Sequence, residues 1–451
     1  MVNDSGNAAG QKFFSNPGID EIPTSADIIV IGGGPAGTAA LWAIERLALG
    51  TKTVLIEKSD RLGAGSSLAS LECYRTCWPA PPLAKQMQRS IEVFHHADEV
   101  LSEGAAQSLA VKERGYLFCA FNPAQAAGLA ADVRRLHEIG LSHIEYLDAE
   151  EVRHRFGWLG EKVIAAKYDP IAGWLDSNAL IYKFVQNAPS AKILLGVPDV
   201  SICVEGGRVT GVTTPNGSIS APNVVIAAGA NSRKVGRTAG IELPIVLRPR
   251  QSFTTGWRHP AIPEHAPMII GAAPYPHLHP EAQSGAIFGY EYTWHNKAAG
   301  EAYGTNQAHD AIIDPLYPAA QLKDPRFPSL ALTLLARQFG HKDGEGFADT
   351  RYLRGISHNI GYYVYRDETT AYRTDPDGSR HPYDSERAII DAYPGIDGLF
   401  LSVAHVGHGI MSSPAAGEIL ARKVLGLPLA EPEFAEFGFD AAWAEYDEGV
   451  L

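Results

Sequence analysis

Cysteine is scarce: the 451-residue chain has four, Cys73, Cys77, Cys119 and Cys203. They form neither a CxxC pair nor a zinc-knuckle spacing, so a disulfide framework or cysteine zinc site is not indicated and buried or idle thiols are expected. No apolar run reaches the ~18 residues of a membrane-spanning helix. The opening MVNDSGNAAGQKFFSNPG lacks the basic and apolar regions of a secretory signal, so the chain is read as cytoplasmic. Positive charge is also short, with 38 Lys+Arg against 51 Asp+Glu and a net charge of −13. That balance argues against a general nucleic-acid or anionic-membrane binder, though a local basic cleft would survive it. His277, His279 and His295 have no carboxylate at ligand-like spacing, which favours loop histidines of a cavity wall over a metal site.

What is present is length and alternating pattern. Single cores stop growing near roughly 250–300 residues, so two domains, or one with a large insertion, are expected. The expected class is α/β. An apolar run Asp27–Ile31, a glycine turn Gly32–Gly37, a helical stretch Thr38–Leu49 and a second apolar run Thr53–Glu57 make a βαβ unit with a parallel sheet. Turn signals at Gly206–Gly207 and Asn216–Gly217 divide residues 197–230 into a β-meander. The end returns to the first pattern, with strand Leu399–Val403, a turn at Gly407–Gly409 and a helix from Pro414 to about Leu425. These pieces predict a discontinuous nucleotide domain (25–112, 168–243, 383–440) interleaved with a second domain (113–167, 244–382). Residues 1–24 read as a flexible leader and 441–451 as a tail. His95 and His96 read as surface residues on a helix Leu83–Val100.

Gly32-Gly33-Gly34-Pro35-Ala36-Gly37 satisfies G-x-G-x-x-G. In such a turn the first glycine permits the bend, the second lets the backbone approach a pyrophosphate, and the third allows close helix–strand packing. The helix then offers unpaired N–H groups and its positive dipole end to phosphate. Glu57 ends the next strand, where an acid accepts hydrogen bonds from ribose hydroxyls. A purely structural turn with a solvated Glu57 is the alternative.

Four stretches resemble the D-amino-acid oxidase-like flavoproteins, the group of glycine oxidase and sarcosine oxidase. They are DIIVIGGGPAG with IEK at Glu57–Lys58, GAGSSLASLECYRTCW (Gly63–Trp78), VVIAAGANS (Val224–Ser232) and LFLSVAHVGHGIMSSPAAGEILA (Leu399–Ala421). The resemblance implies a Rossmann-type FAD-binding domain and an α+β substrate domain built on an antiparallel sheet. It also implies FAD contacts from Gly32, Gly34, Ala36, Gly37, Glu57, Lys58, Ser66, Ser67, Val200, Gly229, Gly407, His408, Gly409 and Ile410. Ser66 and Ser67 read otherwise as a polar turn, and His408 as a solvated turn residue.

Members of that family oxidise amines or amino acids by hydride transfer to flavin N5, giving an imine that hydrolyses. The implied partners are therefore a small amine or amino acid and an electron acceptor, oxygen or another. Arg75 is the candidate carboxylate anchor, since a bidentate arginine suits a carboxylate; an interdomain ion pair is the alternative. Tyr363 matches a pocket-lining aromatic or else a core tyrosine. Arg248 and Arg250 read as structural. Four departures stand out. Met411 and Ile287 replace lysines of sarcosine-oxidase-like members, and Glu291 replaces a histidine and offers a partner for a cationic amine. Gly361 replaces a cysteine that tethers flavin covalently, which implies non-covalent FAD. The stretch 293–346 has no clear counterpart in small relatives. The rival readings are a dehydrogenase with a non-oxygen acceptor and a flavin subunit of a larger electron-transfer assembly.

Overall fold

The computed structural model describes residues 12–290, 312–367 and 387–441, with the backbone of 372–374 and 380–382. Its first elements are β1 (Phe13–Ser15), β2 (Ile28–Ile31), α1 (Pro35–Leu47) and β3 (Thr53–Ile56). Every residue of β2 and β3 is buried. Continuous apolar runs are what a strand needs when both faces of its sheet are covered.

The seven-stranded sheet runs β1, Lys192–Leu195, β3, β2, Asn223–Ile226, Leu399–Val403 and Ile389–Ala392. All neighbours are parallel except the last pair. On one face lie α1 and the helices Pro81–His95, Ser177–Gln186 and Ser413–Val424, joined in one apolar core. Helix Ser413–Val424 approaches α1 at backbone distance, because a Cβ on Gly417 would stand 2.5 Å from the Ala39 carbonyl oxygen. The other face is covered by the meander Ser201–Glu205, Arg208–Thr214 and Gly217–Ser220.

A second sheet of eight strands runs Ser357–Arg366, Ile245–Thr255, Gly285–Gly289, His277–Glu281, Met268–Ile270, Tyr116–Ala120, Ala165–Asp169 and Glu145–Asp148. It is antiparallel apart from the contact of Met268–Ile270 with Tyr116–Ala120. Phe253 stacks on Phe288 at 4.8 Å in its core, with Phe327 and Phe339 of the helix Phe327–Phe339 packed over them. The architecture is thus an α/β nucleotide-binding fold carrying an α+β domain on an antiparallel sheet.

Three expectations need correction. Part of the stretch read as a leader is built in: β1 pairs with Ile193–Leu195 and buries Phe14 at 2% exposure, so apolar burial and a sheet edge hold it. The helix expected over 83–100 breaks at His96, whose φ and ψ leave the helical region, and resumes as Ala97–Val100. His277 and His279 lie on a strand rather than in a loop. No helix among the described residues is long and apolar enough to cross a membrane.

Candidate active site

The glycine turn is closed at two points and open at one. Gly32 has φ +118°, and a Cβ there would sit 2.3 Å from the Ala227 carbonyl oxygen. A Cβ on Gly37 would sit 2.0 Å from the oxygen of Gly32. Gly34, the residue that opens α1, has nothing within 4 Å of its Cβ position, and no side chain caps the helix. Bare first-turn N–H groups beside open space at the carboxyl end of a parallel sheet form an anion cradle. Glu57 leans over that cradle: its Oε2 accepts from Gly33 N at 2.7 Å and its Oε1 from Ser59 N at 2.8 Å. Its carboxylate is therefore fixed at the lip by the turn, with lone pairs left for sugar hydroxyls. Ala36 lies partly buried in the first turn of α1.

The other expected cofactor residues surround this slot. Lys58 projects beyond Glu57, its Nζ 4.0 Å from the centroid of Tyr317. Gly229, at φ +53°, begins the short turn Gly229–Asn231 beyond strand Asn223–Ile226. Val200 packs partly buried against the meander-side core. Ser66 and Ser67 lie in the turn Ser66–Ala69, where Ser66 Oγ accepts from Tyr362 N at 2.9 Å. Gly361 lies against this turn, because a Cβ there would come 3.2 Å from Ser66 Cα. A smaller residue was needed here for the serine turn and the long strand to touch.

Beyond strand Leu399–Val403 the chain bends through Ala404 (φ +60°) and Val406 (φ +50°) before Gly407. A β-branched residue in the left-handed region is strained, and such strain concentrates where a site dictates the backbone. His408 is buried at 2%, Gly409 partly buried, and Ile410 and Met411 join the core. Burial, with His408 adjacent, lowers His405 to about 3, so the turn carries a neutral imidazole that meets Ser402 Oγ at 3.0 Å.

Arg75 and Tyr363 converge on this turn. The Arg75 guanidinium, 5% exposed, lies 4.2 Å from the Trp78 ring centre and 5.2 Å from that of Phe118. Among the described residues no carboxylate lies within ion-pair distance of it and no hydrogen bond engages it. Trp78 in turn meets the His408 ring edge-on at 5.0 Å. A Cβ on Gly407 would stand 2.5 Å from Tyr363 Cζ, so the hydroxyl end of that tyrosine lies against the turn. Arg250 lies 5.6 Å from the Tyr363 ring and Arg248 5.1 Å from Tyr365. Around Arg75, burial pushes the Cys73 thiol up to about 12 and Cys77 up to about 11, so both stay protonated and neither is a nucleophile. Ile287 is buried at 9%, apolar where relatives are expected to carry a lysine. Glu291 lies outside the described residues.

Trp78 is the residue that sequence reasoning overlooked. It ends the quoted GAGSSLASLECYRTCW stretch, and an aromatic three residues beyond a candidate arginine was the available signal. Asp169 was also missed, for it acts on that loop from 92 residues away.

Comparisons with known proteins show the family and the fold. The family model described as DAO, FAD dependent oxidoreductase, matches residues 27–423. The FAD-dependent oxidoreductase domain-containing protein 1 homolog of Drosophila melanogaster is 22% identical over 457 residues, covering 93% of this chain and 79% of that protein. Sarcosine oxidase subunit beta of Arthrobacter sp is 23% identical, with 75% of this chain and 79% of that one covered. The crystal structure of L-proline dehydrogenase from P. horikoshii superposes with a TM-score of 0.69 at 21% identity, covering 92% of this chain and 97% of that one.

Proposed function

The chain belongs to the FAD dependent oxidoreductase family, and from that membership we propose that it oxidises a carbon–nitrogen bond of an amine or amino acid that bears a carboxylate. The observation that carries this reading is Arg75: a buried cation without an acidic partner among the described residues, seated on two aromatic rings next to the strained turn. Burying a charge without a counter-ion is costly, and a bound carboxylate would offset that cost in a bidentate fork. When bound, FAD supplies the two-electron sink that accepts a hydride from the carbon attached to nitrogen.

The chain's own residues do the rest. Arg75 fixes the substrate carboxylate, and Trp78 and Phe118 keep the guanidinium from swinging. Tyr363, against Gly407, walls the pocket beside the turn. Trp78 and buried His408 exclude water from one flank. Departure of the hydride leaves the nitrogen lone pair to close a C=N bond, and water then hydrolyses the imine to a carbonyl compound and an amine. The first-turn N–H groups of α1 and the carboxylate of Glu57 would hold the diphosphate and ribose. Gly361 supports non-covalent attachment. A glycine offers no thiol, and the space beside it is filled by Ser66 and Ala69.

A dehydrogenase that passes electrons to a carrier rather than oxygen is the second reading. Buried, apolar Ile287 and Met411 favour it, because neither supplies the positive charge that would stabilise developing superoxide. L-proline dehydrogenase and sarcosine oxidase subunit beta stand on either side of this choice among the similar proteins.

An anaerobic screen of amino acids, N-methyl amino acids and their decarboxylated amines, read by bleaching of the visible flavin band, tests the proposal. Carboxylated compounds should bleach the band and their decarboxylated counterparts should not. Bleaching by dithionite but by no amine would overturn it. Admitting air to the reduced protein then separates the two acceptors, since a dehydrogenase reoxidises slowly unless an artificial acceptor is added.

A further inference from the structure

The segment beginning at Ile312 lies in the stretch 293–346, and it bonds both to the eight-stranded sheet and to the nucleotide domain. Ile312 and Leu247 exchange backbone hydrogen bonds of 2.8 Å each. Both carboxylate oxygens of Asp314 accept from Arg237 Nη1 at 2.9 Å. Tyr362 Oη donates to Leu316 O at 2.7 Å and accepts from Leu316 N at 3.0 Å. Tyr317 then reaches two lips of the cofactor slot at once. Asn231 Nδ2 donates to its hydroxyl at 3.0 Å, and Lys58 Nζ stands 4.0 Å from its ring centre.

Those two lips flank the glycine turn. Lys58 follows Glu57 at the carboxyl end of β3, and Asn231 closes the turn beyond strand Asn223–Ile226. β2, which leads into Gly32–Gly37, lies between those two strands in the sheet. A side chain bonded to both neighbours of the central strand therefore spans the mouth above it. Tyr317 is 54% exposed, yet its hydroxyl and one ring face are both engaged. Fixing a half-exposed aromatic from two sides is costly in side-chain entropy unless something beneath it gains by the order.

We propose that Tyr317 is a cofactor-retaining residue, barring the slot over the adenosine half of FAD with Lys58 and Asn231 as its two abutments. The inference rests on the FAD reading and adds to it a segment outside the family's glycine and serine motifs. Asp314–Arg237 and Leu316–Tyr362 tether the bar at its base, so its loss should speed cofactor escape more than it slows capture.

The test uses the holoprotein. Diluted protein is followed by the rise in free-FAD fluorescence, with Tyr317→Ala, Tyr317→Phe and Asp314→Ala compared against wild type, and circular dichroism checks that each is folded. FAD should leave Tyr317→Ala at least tenfold faster. Tyr317→Phe, which keeps the ring over Lys58 and loses the Asn231 bond, should fall between the two. Asp314→Ala, which frees the base without touching the slot, should also release faster. ADP added as competitor to apoprotein should bind Tyr317→Ala several-fold more weakly. Release from both Tyr317→Ala and Asp314→Ala within twofold of wild type would overturn the proposal, as would tighter FAD binding by Tyr317→Ala, which would mean that the ring occupies the slot. A wild-type protein that retains no FAD would instead sink the reading beneath it.

Discussion

The carboxylate of Asp169 holds the backbone of Thr76: Oδ2 accepts from Thr76 N at 2.7 Å, from Thr76 Oγ1 at 2.8 Å and from Cys77 N at 3.1 Å. Since the Thr76 hydroxyl spends its one proton on Asp169, His143 Nε2–H donates to Thr76 Oγ1 at 2.7 Å. Asp169 ends a strand of the eight-stranded sheet, whereas Thr76 and Cys77 follow directly on Arg75. The eight-stranded sheet thus fixes the backbone that follows Arg75, and its Phe118 ring lies 5.2 Å from the guanidinium itself.

Asp169→Asn should therefore act as a positioning change. An amide keeps the acceptor but turns a charge-assisted bond into a neutral one, which is worth roughly half as much. The KM for a carboxylated substrate should rise several-fold with FAD content unchanged and Tm only slightly lower. A fall in kcat alone, with KM intact, would mean that Asp169 does not aim Arg75.

Arg75→Ala removes the proposed anchor itself. Hydrogen bonds to a charged group are worth about 1.5–3 kcal/mol, so KM should rise roughly 10- to 150-fold, and Arg75→Lys should recover only part of this because an ammonium lacks the fork. Decarboxylated amines should show no such penalty. If Arg75→Ala leaves KM unchanged, the buried guanidinium is structural, and its place between Trp78 and Phe118 serves packing alone.

Much of this was legible in the sequence, and the reason differs from element to element. β2, α1 and β3 follow from local signals, continuous apolar runs around a glycine turn, so Gly32, Gly37 and Glu57 fall where the pattern puts them. The approach of Arg75 to His408 through Trp78 joins segments far apart in the chain; the resemblance to known flavoproteins singled out Arg75 and His408 separately but not the ring between them. Asp169 was invisible because one aspartate on a strand carries no local mark of the loop it will hold. β1 was missed because three residues at a sheet edge, only one of them deeply buried, leave too short a period to read. The role of Tyr317 depends on contacts made on both sides of β2, which no spacing within one segment encodes.

His279 provides a pH test with a definite sign. It is 1% exposed, stacks on Trp174 at 4.4 Å, and its nitrogens face Leu71 O at 3.0 Å and Pro280 O at 2.8 Å. Burial outweighs the two carbonyls and lowers the ring to about 4 from an ordinary 6.5. Below pH 6.5 the unfolded chain takes up a proton that the native ring refuses until about pH 4. Its share of stability is then fully present above 6.5 and lost as pH falls towards 4, about 3.5 kcal/mol in all at roughly 1.4 kcal/mol per unit. His279→Gln, which cannot titrate, should make the pH dependence of unfolding free energy shallower across that window, leaving the shares of His277 and His405, which burial lowers likewise. Stability of the wild type that rises on acidification, with His279→Gln abolishing the rise, would show that the two carbonyls win and the ring is charged.

The glycine turn separates packing from binding within four residues. A methyl on Gly37 would stand 2.0 Å from the oxygen of Gly32, backbone against backbone, so Gly37→Ala must shift α1 against β2. Overpacking of this kind costs typically 1–3 kcal/mol or more, and apoprotein Tm should fall with it. Gly34 differs: nothing lies within 4 Å of its Cβ position and its φ of −82° is open to any residue. Gly34→Ala should leave apoprotein Tm nearly unchanged, because the methyl enters empty space in the protein alone. If the diphosphate lies against that backbone, the same methyl takes its place, and FAD affinity measured by fluorescence quenching should drop tenfold or more. Full FAD affinity in Gly34→Ala would mean that the open space over α1 holds no part of the cofactor, and the anion cradle would have to be sought elsewhere on the sheet.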